Sequence, residues 1–128
     1  MQTQQGAIIY VVDDDSAVRD SMRALLESYG MVVKDYASAH LFLLDVPKYE
    51  RGCLVLDNHM PGMTGIELLQ LLRDRNDPLP VVIITGSGDP FLRERAERAG
   101  AIAVLEKPID DEKLIPLVRN VLQTSWSL

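Results

Sequence analysis

The chain predicts a doubly wound α/β domain: five short strands in strict alternation with five helices, a parallel sheet, and helices on both faces. Two observations lead to this. Short apolar runs, the β-branched AIIYVV at Ala7 to Val12, CLVL at Cys53 to Leu56 and VVII at Val81 to Ile84, carry no charged residue, as strands buried on both faces require. Between such runs, apolar residues recur at helical spacing, and the total of 128 residues, 47% of them hydrophobic, suits a single core of ordinary domain size.

The elements follow in order. After the first strand and Asp13, Asp14 and Asp15, the residues Val18, Met22, Leu25, Leu26 and Tyr29 mark one helical face, and Gly30 stands where a helix ends. Met31 to Tyr36 reads as the second strand, and Ala39 to Leu44 as a short helix opened by Ser38. Pro47 to Gly52 reads as a loop, leading into the third strand, Cys53 to Leu56, which ends at Asp57. Beyond the turn-rich Pro61-Gly62-Met63-Thr64-Gly65, the residues Ile66, Leu68, Leu69 and Leu72 line a third helix. Val81 to Ile84 is the fourth strand. Asp89-Pro90 then provides an N-cap with proline in the first turn, and Gly100 closes that helix. Ala101 to Leu105 is the fifth strand, and a last amphipathic helix runs from about Asp111 to Thr124, with Pro116 expected to kink or loosen its second turn.

Composition narrows the function. A net charge of −6 opposes nucleic-acid contact by this segment, which would need a basic face. A lone cysteine, Cys53, forms no internal disulfide and suits a reducing compartment. The apolar run at the start follows an uncharged MQTQQG and ends at Val12. That pattern resembles neither a signal peptide nor a span of about 20 apolar residues, so the expectation is a cytoplasmic domain with no membrane partner.

What stands at the strand ends is more specific. Asp13, Asp14 and Asp15 follow the first strand, Asp57 the third, Thr85 the fourth and Lys107-Pro108 the fifth, while the second offers only Tyr36 and Ala37. In a parallel sheet these ends share one edge, where ligands bind. Each residue alone is commonly a cap, a turn or a solvated side chain. Together they make a pocket of carboxylates that repel one another unless a cation intervenes. With no Cys or His among them, a hard cation such as Mg²⁺ fits better than Zn²⁺. An ammonium and a hydroxyl suit phosphoryl oxygens, and an aspartate can itself accept a phosphoryl group.

From about Ala7 to Gln123 the chain resembles the receiver domain of two-component response regulators, a flavodoxin-like (βα)5 fold of strand order 2-1-3-4-5. The likeness rests on Val11-Val12-Asp13-Asp14-Asp15, on Leu56-Asp57 with Met60-Pro61-Gly62-Met63-Thr64-Gly65, on Thr85-Gly86 and on Lys107-Pro108. The runs after Asp57 and Thr85 look most like the FixJ-type branch, whose full-length members carry a DNA-binding domain after the receiver. The resemblance implies that Asp57 accepts phosphate from a sensor histidine kinase or phosphotransfer protein. It implies that Asp14, Asp57 and the His59 carbonyl bind Mg²⁺, with Mn²⁺ as an alternative and Asp13 assisting through water. Thr85, Lys107 and the backbone of Asn58 and Gly86 would contact the phosphoryl group, with a cis peptide joining Lys107 and Pro108. The implied unit is one receiver over 1–128, with 124–128 as a tail or the start of a linker. It would be a switch that controls an output such as transcription, with a homodimer on phosphorylation, and not an enzyme acting on an external metabolite.

Two positions depart from the family. Many receivers have an aromatic residue three positions before the lysine, coupled to the threonine in switching; here it is Val104. Pro116 falls in the last helix, on a face receivers commonly use to meet partners, where an altered interface is expected. Among smaller features, His59 reads either as a solvated loop residue or as one that tunes water access, and Ser87 likewise. Cys53 and Met22, Met31, Met60 and Met63 read as packing residues. Arg93, Glu94, Arg95, Glu97 and Arg98 form a solvated face or a partner surface. Trp126 is a docking residue or a frayed end.

A rival reading likens Asp13-x-Asp15 to the nucleophile motif of haloacid-dehalogenase-type phosphatases, with Asp13 as nucleophile, Asp15 as acid/base and Asp110-Asp111 as the last acidic pair. Ala17 and the absence of a strand before Asp110 oppose it, and Asp57 is left unexplained. A receiver-like binding module without phosphorylation would need no such pocket. Nucleotide-binding folds lack support, since no glycine-rich loop follows the first strand.

Overall fold

A computed structural model describes residues 7–45, 51–86 and 88–126. They form β1 (Ala7–Val12), α1 (Ser16–Ser28), β2 (Val33–Tyr36), α2 (Ala39–Asp45), β3 (Arg51–Asp57), α3 (Gly65–Asp74), β4 (Val81–Thr85), α4 (Pro90–Ala99), β5 (Ala103–Glu106) and α5 (Asp111–Trp126). The five strands pair in parallel in the order β2-β1-β3-β4-β5, as expected. No helix among the described residues is long and apolar enough to cross a membrane.

Alternation along each strand divides the core into two layers. Ile8, Tyr10, Val12, Leu54, Leu56 and Ile83 face α2, α3 and α4, through Phe42, Leu68, Leu69, Leu72 and Leu92. Ile9, Val11, Cys53, Val55, Val82 and Ile84 face α1 and α5, through Met22, Leu26, Leu114, Val118 and Leu122. Helices on both faces therefore bury β1 and β4 throughout, and the apolar runs read from the sequence lie in the strands so covered. The edge strand β5 alternates less completely, with Val104 buried and Glu106 exposed. Tyr10, Tyr36 and Phe42 form an edge-to-face aromatic cluster under α2.

Three strand starts differ from expectation, and hydrogen bonding accounts for them. Gly30 and Gly100 adopt φ of +82° and +108°, the left-handed region in which glycine ends a helix. The next amide in each case turns back onto its helix: Met31 N–H donates to Leu26 O, and Ala101 N–H to Ala96 O. Those amides are committed to helix closure, so β2 begins at Val33 and not Met31, and β5 at Ala103 and not Ala101. In β3 pairing starts earlier than the apolar run, because Ala7 and Ile8 of β1 pair with Arg51 and Gly52.

The helix signals stand where the sequence puts them. Asp15 caps α1 by accepting from Ala17 N–H and Val18 N–H, Ser38 Oγ accepts from Leu41 N–H, and Asp89 caps α4. The last helix continues to Trp126, two residues past the expected Thr124, and is unbroken across Pro116, which is exposed. The expected loop over residues 47–50, Ser87 and the Trp126 side chain lie outside the described residues.

Candidate functional site

Parallel pairing and strand order bring the singled-out residues to one edge. Val12 pairs with Leu56, Asp57 with Ile84, and Thr85 with Glu106, so Asp13, Asp57, Thr85 and Lys107 end neighbouring strands in the same layer. Lys107 N–H donates to Thr85 O at 2.8 Å, which extends the β4–β5 ladder to the lysine. The Lys107–Pro108 peptide is cis.

The carboxylates separate into two groups. Asp13, Asp14 and Asp57 each present an oxygen within 4.8 Å of the others, with Asp13 and Asp57 buried and Asp14 exposed at the rim. Asp15, by contrast, spends its carboxylate on the α1 N-terminus, and Asp110 does the same for α5 by accepting from Glu112 N–H at 2.9 Å. The phosphatase-like reading needs Asp15 for proton transfer and Asp110 in the final acidic pair, and the capping of α1 and α5 by these two carboxylates counts against it.

Charge in the buried pair is under-compensated. Asp13 and Asp57 are 1% and 3% exposed. Lys107 Nζ sits between them, 3.5 Å from Asp13 Oδ2 and 3.4 Å from Asp57 Oδ1. Both contacts are ion pairs at the long limit of hydrogen bonding, and Asp13 Oδ2 is buried without a hydrogen-bond partner. Burial, then repulsion from Asp13, pushes the Asp57 carboxyl above its ordinary value, against the pull of Lys107 and of the His59 N–H. Partial burial pulls the Lys107 ammonium down, but Asp57 and Asp13 outweigh it and hold its pKa above the usual lysine value.

This donor set fits a hard divalent cation. The three carboxylates offer only oxygens, each with one within 4.8 Å of the others, and the buried Asp13 Oδ2 lacks a hydrogen-bond donor.

The loop after β3 is fixed from below. Asn58 Oδ1 accepts from Ile66 N–H at 3.1 Å and Asn58 O from Gly65 N–H at 3.2 Å, which docks the loop onto the first turn of α3. Thr64 and Glu67 complete a capping box there. A Cβ at Gly65 would come to 2.8 Å from Asp57 O and 2.9 Å from Asn58 Cα, both backbone atoms with little room to yield. Gly65→Ala is therefore expected to cost about 1–3 kcal/mol in urea unfolding, the range for forced overpacking, whereas an unchanged midpoint would mean that the loop yields freely.

Not every expected donor is available. Asn58 N–H donates to Ile84 O at 2.9 Å and belongs to the sheet. The amide directed at Asp57 is that of His59, 3.3 Å from Oδ1, a contact not legible in the sequence. Gly86 is exposed beside Thr85, Thr85 itself is 1% exposed, and its Oγ lies 3.4 Å from His59 Nε2. Val104, 4% exposed, fills the position that is aromatic in many receivers and packs in the layer that holds Leu92 and Ala96.

Known proteins match this arrangement. The family model described as the response regulator receiver domain matches residues 9–119. The transcriptional regulatory protein FixJ of Bradyrhizobium diazoefficiens is 42% identical over 115 residues, covering 90% of this chain and 56% of that protein. FixJ of Azorhizobium caulinodans is 44% identical over 117 residues, 91% and 56% of the two chains. The chain thus spans about half the length of the curated relatives it matches. Among solved structures, FixJ-N superposes with a TM-score of 0.88 at 36% identity over 100% of both chains. The response regulator StyR gives 0.87 at 42%, covering 93% of this chain and 60% of that one.

Proposed function

The chain belongs to the response regulator receiver domain family, and on that premise we propose that it is a phosphorylation-controlled switch with Asp57 as the phosphoacceptor. The observation that carries the reading is the pairing of one buried, under-compensated Asp57 with Lys107 at a rim of further carboxylates. A carboxylate oxygen of Asp57 attacks the phosphorus of a phosphohistidine on a sensor histidine kinase or phosphotransfer protein. The P–N bond breaks, imidazole leaves, and an acyl phosphate forms on Asp57.

The chain's own groups stabilise that transfer. Lys107, already held between Asp13 and Asp57, places its ammonium against a phosphoryl oxygen. The Thr85 hydroxyl, the His59 N–H and the exposed Gly86 backbone provide hydrogen-bond donors around the group. Mg²⁺, with Mn²⁺ as an alternative, would be held by Asp14, Asp57 and the His59 carbonyl, with Asp13 acting through water, and supplies positive charge against the transferring oxygens.

The added charge shifts an equilibrium between two arrangements of Thr85 and its neighbouring loops, and so between two outer surfaces. The domain assists its own phosphorylation and dephosphorylation and consumes no external metabolite. Residues 1–128 act as one receiver unit, with 124–128 as a tail or the start of a linker. By likeness to the FixJ relatives, that output is transcription, reached through a separate DNA-binding segment and a homodimer formed on phosphorylation. The net charge of −6 supports leaving DNA contact to that segment. A lone buried cysteine suits the reducing cytoplasm, the compartment assumed for this switch.

Phosphoryl incorporation from a small acyl phosphate, with Mg²⁺ or with a chelator, tests the metal requirement. Incorporation is expected with Mg²⁺ and is expected to fall to background with the chelator; equal incorporation in both would reject the metal-assisted reading.

A further inference from the structure

His59 spans the mouth of the site between two of its functional groups. Its backbone N–H reaches Asp57 Oδ1 at 3.3 Å, and its ring Nε2 lies 3.4 Å from Thr85 Oγ. The residue is exposed, yet the loop that carries it is anchored from beneath by Asn58 to the first turn of α3, so the ring is delivered to Thr85 by a fixed backbone.

Thr85 ends β4 and is 1% exposed. A β-branched residue in a strand occupies few χ1 states, and its hydroxyl takes one staggered position at a time. Turning Oγ toward a phosphoryl oxygen on Asp57 and leaving it at His59 Nε2 are therefore alternatives. With the ring proton on Nδ1, Thr85 donates to Nε2, and its single hydroxyl proton cannot then also reach a phosphoryl oxygen.

We propose that His59 is a positioning residue that latches Thr85 in the resting arrangement and releases it when a phosphoryl group on Asp57 takes over the hydroxyl. The latch adds to the cost of activation, and removing it brings the resting protein closer to the active arrangement. This inference rests on Asp57 as phosphoacceptor, and its test separates the two.

The affinity for beryllofluoride in Mg²⁺, a stand-in for the phosphoryl group, is compared in wild type, His59→Ala, His59→Gln, Thr85→Ala and the His59→Ala/Thr85→Ala double variant. His59→Ala is expected to bind about three- to fivefold tighter than wild type, the worth of one modest hydrogen bond. His59→Gln, whose amide offers a replacement partner, is expected to return toward wild type. In the Thr85→Ala background the His59 change is expected to have no effect, which a purely structural loop role would not produce. Unchanged or weaker binding by His59→Ala, or the same gain without Thr85, overturns the latch. If wild type itself fails to bind, the acceptor reading falls. The latch is then judged on the unliganded protein, where Thr85→Ala is expected to move the His59 Nε2 nitrogen resonance and an unmoved resonance overturns it.

Discussion

Replacing Lys107 with methionine is expected to slow phosphoryl incorporation by about 10²–10³-fold, the usual loss when one preorganised charge-stabilising donor is removed. The geometry concentrates two tasks on this ammonium. It sits 3.5 Å from Asp13 and 3.4 Å from Asp57, so it offsets the repulsion between two buried carboxylates before any phosphoryl group arrives. Its contact with Asp57 Oδ1 also places it at the acceptor carboxylate when transfer begins. Methionine keeps the length and apolar stem of the side chain, which separates loss of charge from loss of packing. With the ammonium gone, the Asp57 carboxyl loses its main downward influence and is driven further above its ordinary value, on top of burial and the Asp13 charge. The acidic limb of the pH–rate profile should therefore move to higher pH in the variant. A rate within about threefold of wild type, with an unmoved acidic limb, would show that Lys107 takes no part in stabilising transfer, since such a donor is worth far more.

Asp57→Asn is expected to abolish incorporation while making the metal-free protein more stable by about 1–2 kcal/mol near neutral pH, because a buried like-charged pair is relieved. The sign follows from linkage. Asp57 has a folded-state pKa above its unfolded one, so its ionisation opposes folding at neutral pH. As pH falls through the raised folded value, wild type takes up a proton and the penalty disappears, whereas asparagine has nothing to gain. The advantage of the variant should thus be largest near neutrality and shrink in mild acid, as read by urea unfolding in the presence of chelator. Asparagine still leaves Lys107 paired with Asp13, so the variant does not strand the ammonium. A destabilised variant would mean that the Asp57–Lys107 pair outweighs desolvation and the Asp13 repulsion. The expected gain would show function held at the expense of stability, as is common where charge is concentrated for chemistry.

Much of this was legible in the sequence, for reasons that differ between features. The buried runs AIIYVV, CLVL and VVII announced strands covered on both faces, and Asp13, Asp57 and Thr85 stood immediately beyond them, so a parallel sheet predicted their convergence. What the sequence concealed depends on pairs of distant backbone atoms. The amides of Met31 and Ala101 look available for a strand until the left-handed glycines turn them back onto α1 and α4. Asn76 closes α3 at φ +61°, in a position where glycine would have been the readable signal. Asn58 was expected to offer its amide to a phosphoryl group, but parallel pairing commits that amide to Ile84, and the His59 amide faces the carboxylate instead. The contact between His59 and Thr85 joins residues from different strand ends, and no spacing rule reports it.

The central claim, that Asp57 accepts the phosphoryl group, is tested most directly by locating the adduct. Wild type and Asp57→Asn are treated with acetyl phosphate and Mg²⁺; intact-protein mass spectrometry counts phosphate adducts before reduction, and hydride reduction, which expels the phosphate and leaves homoserine at the acylated position, then maps the site. If Asp57 is the acceptor, wild type carries one phosphate adduct before reduction and homoserine in place of Asp57 after it, and the variant shows neither. An adduct that survives in Asp57→Asn, or one mapped to Asp13, would contradict this claim.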